Sequence, residues 1–356
     1  MPETSLCAII GKIHGQTALD LVNKLEMINK ELEIQREDDV ICIPLFRNPD
    51  EKELLMLKAK IPSLQFSTCL FAKKSKHRKT LAEAVRNQLP LNLIPSLPRA
   101  IDIVGDIAIV ETSPELKAYE KLIGEAILDS HKNVQTVLAK MGAVTGTYRL
   151  RELRVIAGKN KTETMHNEQG CRFKIDVTGA YFSPRLSQEH KRVASLVQKD
   201  ETIVDMFAGV GPFSILLAKN KVGVKVYAID MNPKAIELLN TNIRLNRVED
   251  RVFPIHGDAR QVIEVKLQGV ADRVIMNLPE RASEFVDVAC KALEFTGGTV
   301  HYYGFFRLPD SLENQKLLLA QAVERNGRKL ERIILAKTIR ETAPYEWQFV
   351  IDARIL

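Results

Sequence analysis

From residue 202 onward, short apolar runs alternate with helix-patterned stretches, and this alternation constrains the fold more than any other feature of the chain. TIVDMF, VKVYAID, RVFPIHG, RVIMN and TVHYYGFF are each bounded by turn residues. Helical spacing fills 212–220, 233–246, 282–294 and 311–325 between and after them. Strands that alternate with helices pair in parallel, because each helix carries the chain back to start the next strand in the same direction. A doubly wound α/β sheet is the expected architecture. The closing run ILAKTIRETAPYEWQFVIDARI reads as two strands joined by a short loop, an antiparallel pair that would close the sheet.

The preceding 180 residues have a different grain. LCAIIG at 5–10 and DVICIPL at 39–45 read as strands, with helical spacing at 17–27 and 51–60. IDIVGDIAIVET gives two short strands around Gly105, and Ser113-Pro114-Glu115 starts a helix running to about Asp129, with Ser113 as N-cap. TYRLRELRVIAG (147–158) has strand composition, and Asn167-Glu168-Gln169-Gly170 is the turn of a hairpin between KTETMH and CRFKIDV. These readings divide the chain into a small α+β domain at 1–70, an α+β connecting domain at 71–180 and the α/β domain at 181–356.

Composition narrows the class. The 356 residues are 45% hydrophobic and 27% charged, which excludes disorder. No apolar run approaches a membrane span, and the first residues lack a signal peptide's pattern, so a cytoplasmic protein is expected. Cys7, Cys42, Cys69, Cys171 and Cys290 are scattered, with no CxxC pair, so neither a disulfide scaffold nor a zinc site is expected. The net charge of +6 is unevenly spread: 8 basic against 11 acidic residues in 1–66, 18 against 12 in 67–180, and 25 against 22 in 181–356. Much of the middle excess is the run 73–79, either a solvated linker or a phosphate-contacting strip.

Polar residues mark four successive strand ends. DMFAGVGPF (205–213) joins the first strand to its helix, and Gly209 and Gly211 allow a ligand close to the backbone. It is not the GxGxxG of a dinucleotide fingerprint, which argues against a nicotinamide dehydrogenase. Asp230-Met231-Asn232 ends the second strand, where an acid can accept both hydroxyls of a ribose. Asp258-Ala259 ends the third and Asn277-Leu278-Pro279-Glu280 the fourth. Each could be a helix cap or turn residue alone. Together they fall where open α/β sheets bind ligands. Ser187 can cap a following helix, putting Glu189 in its first turn, either as a helix-dipole acid or as a base; Arg149 is either a surface strand residue or a phosphate contact.

This set resembles the class I S-adenosylmethionine-dependent methyltransferases, with a Rossmann-like core. By that resemblance Asp205, Phe207, Gly209 and Gly211 form the methionine-side loop. Asp230, Met231 and Asn232 meet the ribose and adenine, and Asp258 and Ala259 the adenine edge. Asn277 sits at the methyl-transfer end. Class I enzymes acting on exocyclic amines carry (D/N)-P-P-(Y/F), whereas this chain has NLPE, so a ring N–H is the better target. More specifically, HxxxGxRFKxDxxxAYFSPRL at 166–186, with YRLRELRVIAG before it and DMFAGVGPF, AIDMNPKAIELL and MNLPE after it, resembles the archaeal and eukaryotic tRNA guanine-N1 methyltransferases. These modify the purine immediately 3′ of the anticodon. The resemblance runs from about Arg149 to the end and extends more weakly to IGKIHGQTALDLV near the start.

The resemblance implies Glu189 as general base, Arg149 holding the guanine carbonyl oxygen, Asn277 and Pro279 positioning the base, and Tyr181 and His190 at the cofactor. It implies S-adenosylmethionine as cofactor and, as partner, tRNA with a guanosine 3′ of the anticodon. It assigns the first domain to the outer corner of the tRNA and the second to the anticodon stem. No membrane partner is expected, and a monomer suffices for an asymmetric tRNA. Rival readings are a wybutosine-pathway enzyme that methylates a tricyclic guanine derivative or transfers an aminocarboxypropyl group, and a non-catalytic RNA-binding protein on the same fold.

Overall fold

The computed structural model describes residues 2–36, 39–73, 80–142, 146 and 148–356. Residues 74–79, most of the basic run, lie outside the described residues; Lys73 pairs with Glu3 at 2.9 Å. The chain forms two compact units, Met1–Thr80 and Leu81–Leu356.

The first unit is an antiparallel sheet with two helices. Strands Gln35–Arg36, Val40–Leu45, Glu3–Gly11 and Gln65–Phe71 lie in that order. Ala8, Ile10, Ile41 and Ile43 face helices Gly15–Lys24 and Glu51–Lys60, which contribute Ala18, Val22 and Leu57 to a shared core. The second helix starts at a capping box: Asp50 Oδ1 accepts from the Glu53 amide (2.8 Å) and the Asp50 amide donates to Glu53 (2.9 Å).

The second unit contains a four-stranded sheet, a hairpin and a seven-stranded sheet. The four-stranded sheet orders Ile101–Val104, Ile107–Val110, Thr136–Lys140 and Leu153–Gly158. The helix expected from Pro114 is a 3-10 turn over Pro114–Tyr119 followed by an α-helix over Glu120–Ser130. Ser113 makes no capping bond. Only the second half of the expected strand 147–158 is extended, and Arg149 lies in a turn with φ 55°.

The seven-stranded sheet bears out the expected α/β class. Its order is Val252–His256, Lys225–Asp230, Thr202–Asp205, Arg273–Met276, Gly298–Arg307, Glu346–Ile355 and Leu330–Ala343. The first five are parallel; the last two pair antiparallel, as the closing run suggested. Consecutive residues enter opposite cores: Ile203, Ala228, Ile275 and Tyr303 on one face, Val204, Ile229, Val274 and Tyr302 on the other. That two-sided burial is why the parallel strands read as continuous apolar runs.

The hairpin Glu163–Glu168/Cys171–Asp176 shares the first of those cores through Phe173 and Ile175. Its outer edge is held by two asparagines of helix Pro233–Asn246. Asn242 accepts from the Lys174 amide (2.6 Å) and donates to its carbonyl (3.1 Å), and Asn246 does the same for Arg172 (2.9 and 2.7 Å). Side-chain amides stand in for a neighbouring strand and leave no unpaired edge there.

Candidate active site

The strand order reverses between Thr202–Asp205 and Arg273–Met276, and the crevice beyond their carboxyl ends is where such sheets bind ligands. A cavity of about 260 Å³ lies there, lined by Phe207, Gly209, Asp230, Met231, Asp258 and Asn277, with Tyr181 and Arg149 above. All four strand-end motifs therefore meet in one place. Asn232 and Ala259 line it too.

Asp230 is held by the backbone. Its Oδ2 accepts from the Gly209 amide (2.7 Å) and its Oδ1 from the Asn232 amide (2.9 Å). Each oxygen keeps a lone pair that could accept a hydroxyl. Burial raises its pKa, partly offset by those amides. Asn232 and Asp258 are also helix caps, accepting from the Lys234 amide (3.0 Å) and the Arg260 amide (2.8 Å). The cap reading and the site reading are both true of these residues.

The two glycines differ. An added Cβ at Gly209 would meet only the Tyr181 carbonyl, at 3.5 Å, while one at Gly211 would strike Leu239 Cδ1 at 2.4 Å. Gly211, with φ 89°, serves the packing of helix Pro233–Asn246 and does not line the cavity. Asp205 also lies beneath the cavity lining. Its Oδ2 accepts from Ser214 Oγ (2.7 Å), its Oδ1 has no hydrogen-bond partner, and burial pushes its carboxyl up to about 7. Asn277 Oδ1 is likewise buried and unpartnered.

Four other sequence-picked residues, His190, Pro279, Ser187 and Glu189, stand off the cavity wall. His190 is buried, 2.6 Å from Glu168 through Nδ1 and edge-on to Phe213 with ring centroids 4.5 Å apart. Burial raises the Glu168 pKa, but hydrogen bonds from His166 and His190 outweigh it and hold the carboxyl down at about 2. His190 thus supports the core under the site. Pro279 is half-buried between lining residues Leu278 and Glu280. Ser187 opens its helix without capping it; it accepts from Gln169 (3.1 Å).

Glu189 is 3% exposed, within an ion-pair cluster. It accepts from Arg192 Nε (2.8 Å), Lys337 Nζ (2.6 Å) and Tyr303 Oη (3.2 Å). Burial raises its pKa, yet the two cations prevail and hold it below the usual range. Arg192 continues to Asp352, whose Oδ1 lies 2.6 Å from His301 Nδ1, and Arg273 reaches the other ring nitrogen (2.8 Å) and Glu201. The sequence reading missed this relay, because its members come from four strands, a helix and a loop far apart in the chain.

Arg149 stands where the cofactor-side cavity meets a second one of about 330 Å³; both include Arg149, Tyr181 and Glu280 in their walls. Its Nη2 donates to Glu280 (3.0 Å), its guanidinium carbon sits 4.8 Å from the Tyr181 ring centroid, and its Nε is buried without an acceptor. Glu280, which occupies the place of an aromatic ring in amine methylases, is here the anchor for that arginine. Among the described residues there is no cluster of metal-ligating side chains and no helix long and apolar enough to cross a membrane.

Comparison with known proteins agrees with this geometry. A family model described as the TRM5/TYW2 methyltransferase domain matches residues 164–334, and one described as the TYW2 N-terminal domain matches 81–162. The chain is 43% identical to a tRNA (guanine(37)-N(1))-methyltransferase Trm5b of Pyrococcus abyssi, over 86% of this chain and 89% of that one. It is 35% identical to the Trm5b of Methanocaldococcus jannaschii over 98% of both. The solved complex of aTrm5 with tRNALeu superposes with a TM-score of 0.69 at 34% identity, covering 99% of this chain and 100% of that one. With its strand-end constellation on a doubly wound sheet and this likeness along almost its whole length, the chain belongs to the TRM5/TYW2 methyltransferase family.

Proposed function

We propose that the chain is a tRNA (guanine(37)-N1)-methyltransferase that uses S-adenosylmethionine, with Arg149 and Glu189 as its chemical residues. The observation that carries the reading is the orphaned Nε–H of Arg149 at the junction of the two cavities. A buried donor without an acceptor costs about 1–3 kcal/mol and is retained where an acceptor arrives with the substrate.

The residues present fit the cofactor. Asn277 offers an unpartnered acceptor oxygen in the cavity lining, which suits an ammonium group, and Asp230 suits a ribose diol, while Asp205 stands beneath that lining. When bound, S-adenosylmethionine supplies an electrophilic methyl on a sulfonium. Phe207, Gly209, Met231, Asp258 and Ala259 would hold its remaining surface.

The protein's own part is to prepare the nucleophile. Guanine N1 carries a proton at neutral pH, so its lone pair must be released. Arg149 donates to O6, where charge collects as N1–H breaks. Glu189 receives the proton. Its carboxylate is ionised, as a base must be, but its lone pairs are taken by Arg192, Lys337 and Tyr303. Lys337 is the most exposed of the three, and its departure frees an oxygen for the N1 proton. Glu189 lines neither cavity, so on this reading extrusion of the target base must be accompanied by the movement of Lys337 that opens a path to it.

The test is to incubate the protein and labelled S-adenosylmethionine with unmodified tRNA bearing guanosine 3′ of the anticodon, then identify the nucleoside. N1-methylguanosine is expected. An aminocarboxypropyl product, or a product only on a tricyclic precursor, would assign the chain to the other branch of its family. Glu189→Gln should slow single turnover by ~100-fold or more with cofactor affinity retained, within the usual span for acid–base groups; an unchanged rate removes Glu189 from the role. The same reading takes the protein as a cytoplasmic monomer; sedimentation of the protein with tRNA checks the stoichiometry.

A further inference from the structure

Five cations line the 330 Å³ cavity against four carboxylates, one of which, Glu346, accepts from Thr342 (2.8 Å) and, among the described residues, holds none of them. Lys140 lies 3.4 Å from Glu111, Arg185 grips both oxygens of Asp102 (2.5 and 2.9 Å), and Arg149 holds Glu280. Two further arginines in its lining, Arg151 and Arg340, have no carboxylate partner among the described residues.

Arg340 is the more telling of the two. It is half-buried, and among the described residues its side chain makes one hydrogen bond, from Nε to Gln348 Oε1 (3.0 Å). Gln348 is itself buried and sits directly across the antiparallel pair, beside a register shift in the ladder. The guanidinium is thus fixed at one nitrogen, with two NH₂ groups left to donate. Burial lowers its pKa from the ordinary value; nearby Arg185 adds repulsion, and Asp102 is already committed to Arg185. A charge kept out of water without a counter-ion is a cost, and an incoming anion relieves it.

We propose that Arg340, together with Arg151, forms a phosphate subsite that grips the phosphodiester backbone of the RNA beside the extruded base. The inference rests on the tRNA reading above. The cavity is continuous with the Arg149 wall where that base would stand, so the anion that reaches Arg340 is the one that travels with the base. A planar guanidinium with two free NH₂ groups matches two phosphate oxygens, which a lysine cannot reproduce.

The test compares wild type, Arg340→Met and Arg340→Lys for binding to tRNA over a series of salt concentrations. Each is also tested on tRNA carrying one neutral methylphosphonate linkage, either 5′ or 3′ of the target nucleotide. Arg340→Met should weaken tRNA binding by ~10-fold and reduce the slope of log K against log salt by about 0.7, one contact to unpaired RNA. S-adenosylmethionine affinity should not change. One of the two neutral linkages should cost wild type a similar factor and cost Arg340→Met less than twofold, because both remove the same contact. Arg340→Lys should recover only part. Equal losses from the linkage in wild type and variant, or an unchanged salt slope, overturn the subsite. If Arg340→Met melts early, Arg151→Met makes the same comparison. The outcomes also separate the two readings. An Arg340-dependent phosphate contact without N1-methylguanosine leaves the subsite standing and removes the catalytic reading. N1-methylguanosine with additive losses does the reverse, and failure to bind tRNA removes both.

Discussion

Buried carboxylates under the site differ in what they ask of pH. Glu168 and Asp352 are both held at about 2, from ordinary values of 4.5 and 3.8, by histidine and arginine partners that overcome the effect of burial. A carboxyl depressed in the folded state stabilises it above its unfolded pKa and loses that contribution as pH falls through the folded one. The protein should therefore lose stability steeply between about pH 4.5 and 2, each group contributing on the order of 2 kcal/mol net of burial. Denaturant titrations at pH 7 and 3.5 check this, and Glu168→Gln should flatten the difference. Lys337 acts in the same sense on Glu189. Removing that cation in Lys337→Met should raise the Glu189 pKa, so if Glu189 is the base as proposed, the acidic limb of the single-turnover rate moves to higher pH; an unmoved limb would count against that assignment. Asp230, Asp258 and Asn277 were legible in the sequence because strand ends are where such sheets bind ligands. Arg149's left-handed turn and the lysine on Glu189 were not, since neither leaves a periodic signal.

The helices and strands were recovered where one face or both faces are apolar, and missed where length fell short. Helix Ala259–Lys266 was absorbed into the turn after the third strand, although Asp258 is a ready N-cap. Strands Thr136–Lys140 and Gln65–Phe71 are single short runs with no hairpin signal beside them. The two loop glycines belong to this scale as well. Gly211→Ala combines φ 89° with a Cβ 2.4 Å from Leu239, and should lower stability by ~1–3 kcal/mol while the folded protein still binds cofactor. Thermal melting and cofactor titration of that variant separate a packing role from a binding one. A large loss of affinity without loss of stability would return Gly211 to the ligand.

At the scale of the molecule, the two units each own a core, so a chain beginning at Leu81 should fold and bind S-adenosylmethionine as the full chain does. It should bind tRNA at least ~10-fold more weakly if the first unit contributes to recognition by shape. Unchanged tRNA affinity and turnover would remove that role. The sequence placed a domain edge at 181, whereas the hairpin upstream of it packs into the large sheet; long-range partners such as Asn242 and Asn246 cannot be read from a local pattern. The sheet also has an order of assembly written into it. Strand Glu346–Ile355 lies between Gly298–Arg307 and Leu330–Ala343, yet the ribosome delivers it after both. Until then the nascent chain exposes the flank of its fifth parallel strand, and Asp352, the midpoint of the relay behind Glu189, has not yet been made. Ribosomes stalled before residue 346 should therefore hold a soluble-looking first unit beside a catalytic unit that chaperones still engage, and messages truncated there should yield aggregate instead of a weakened enzyme.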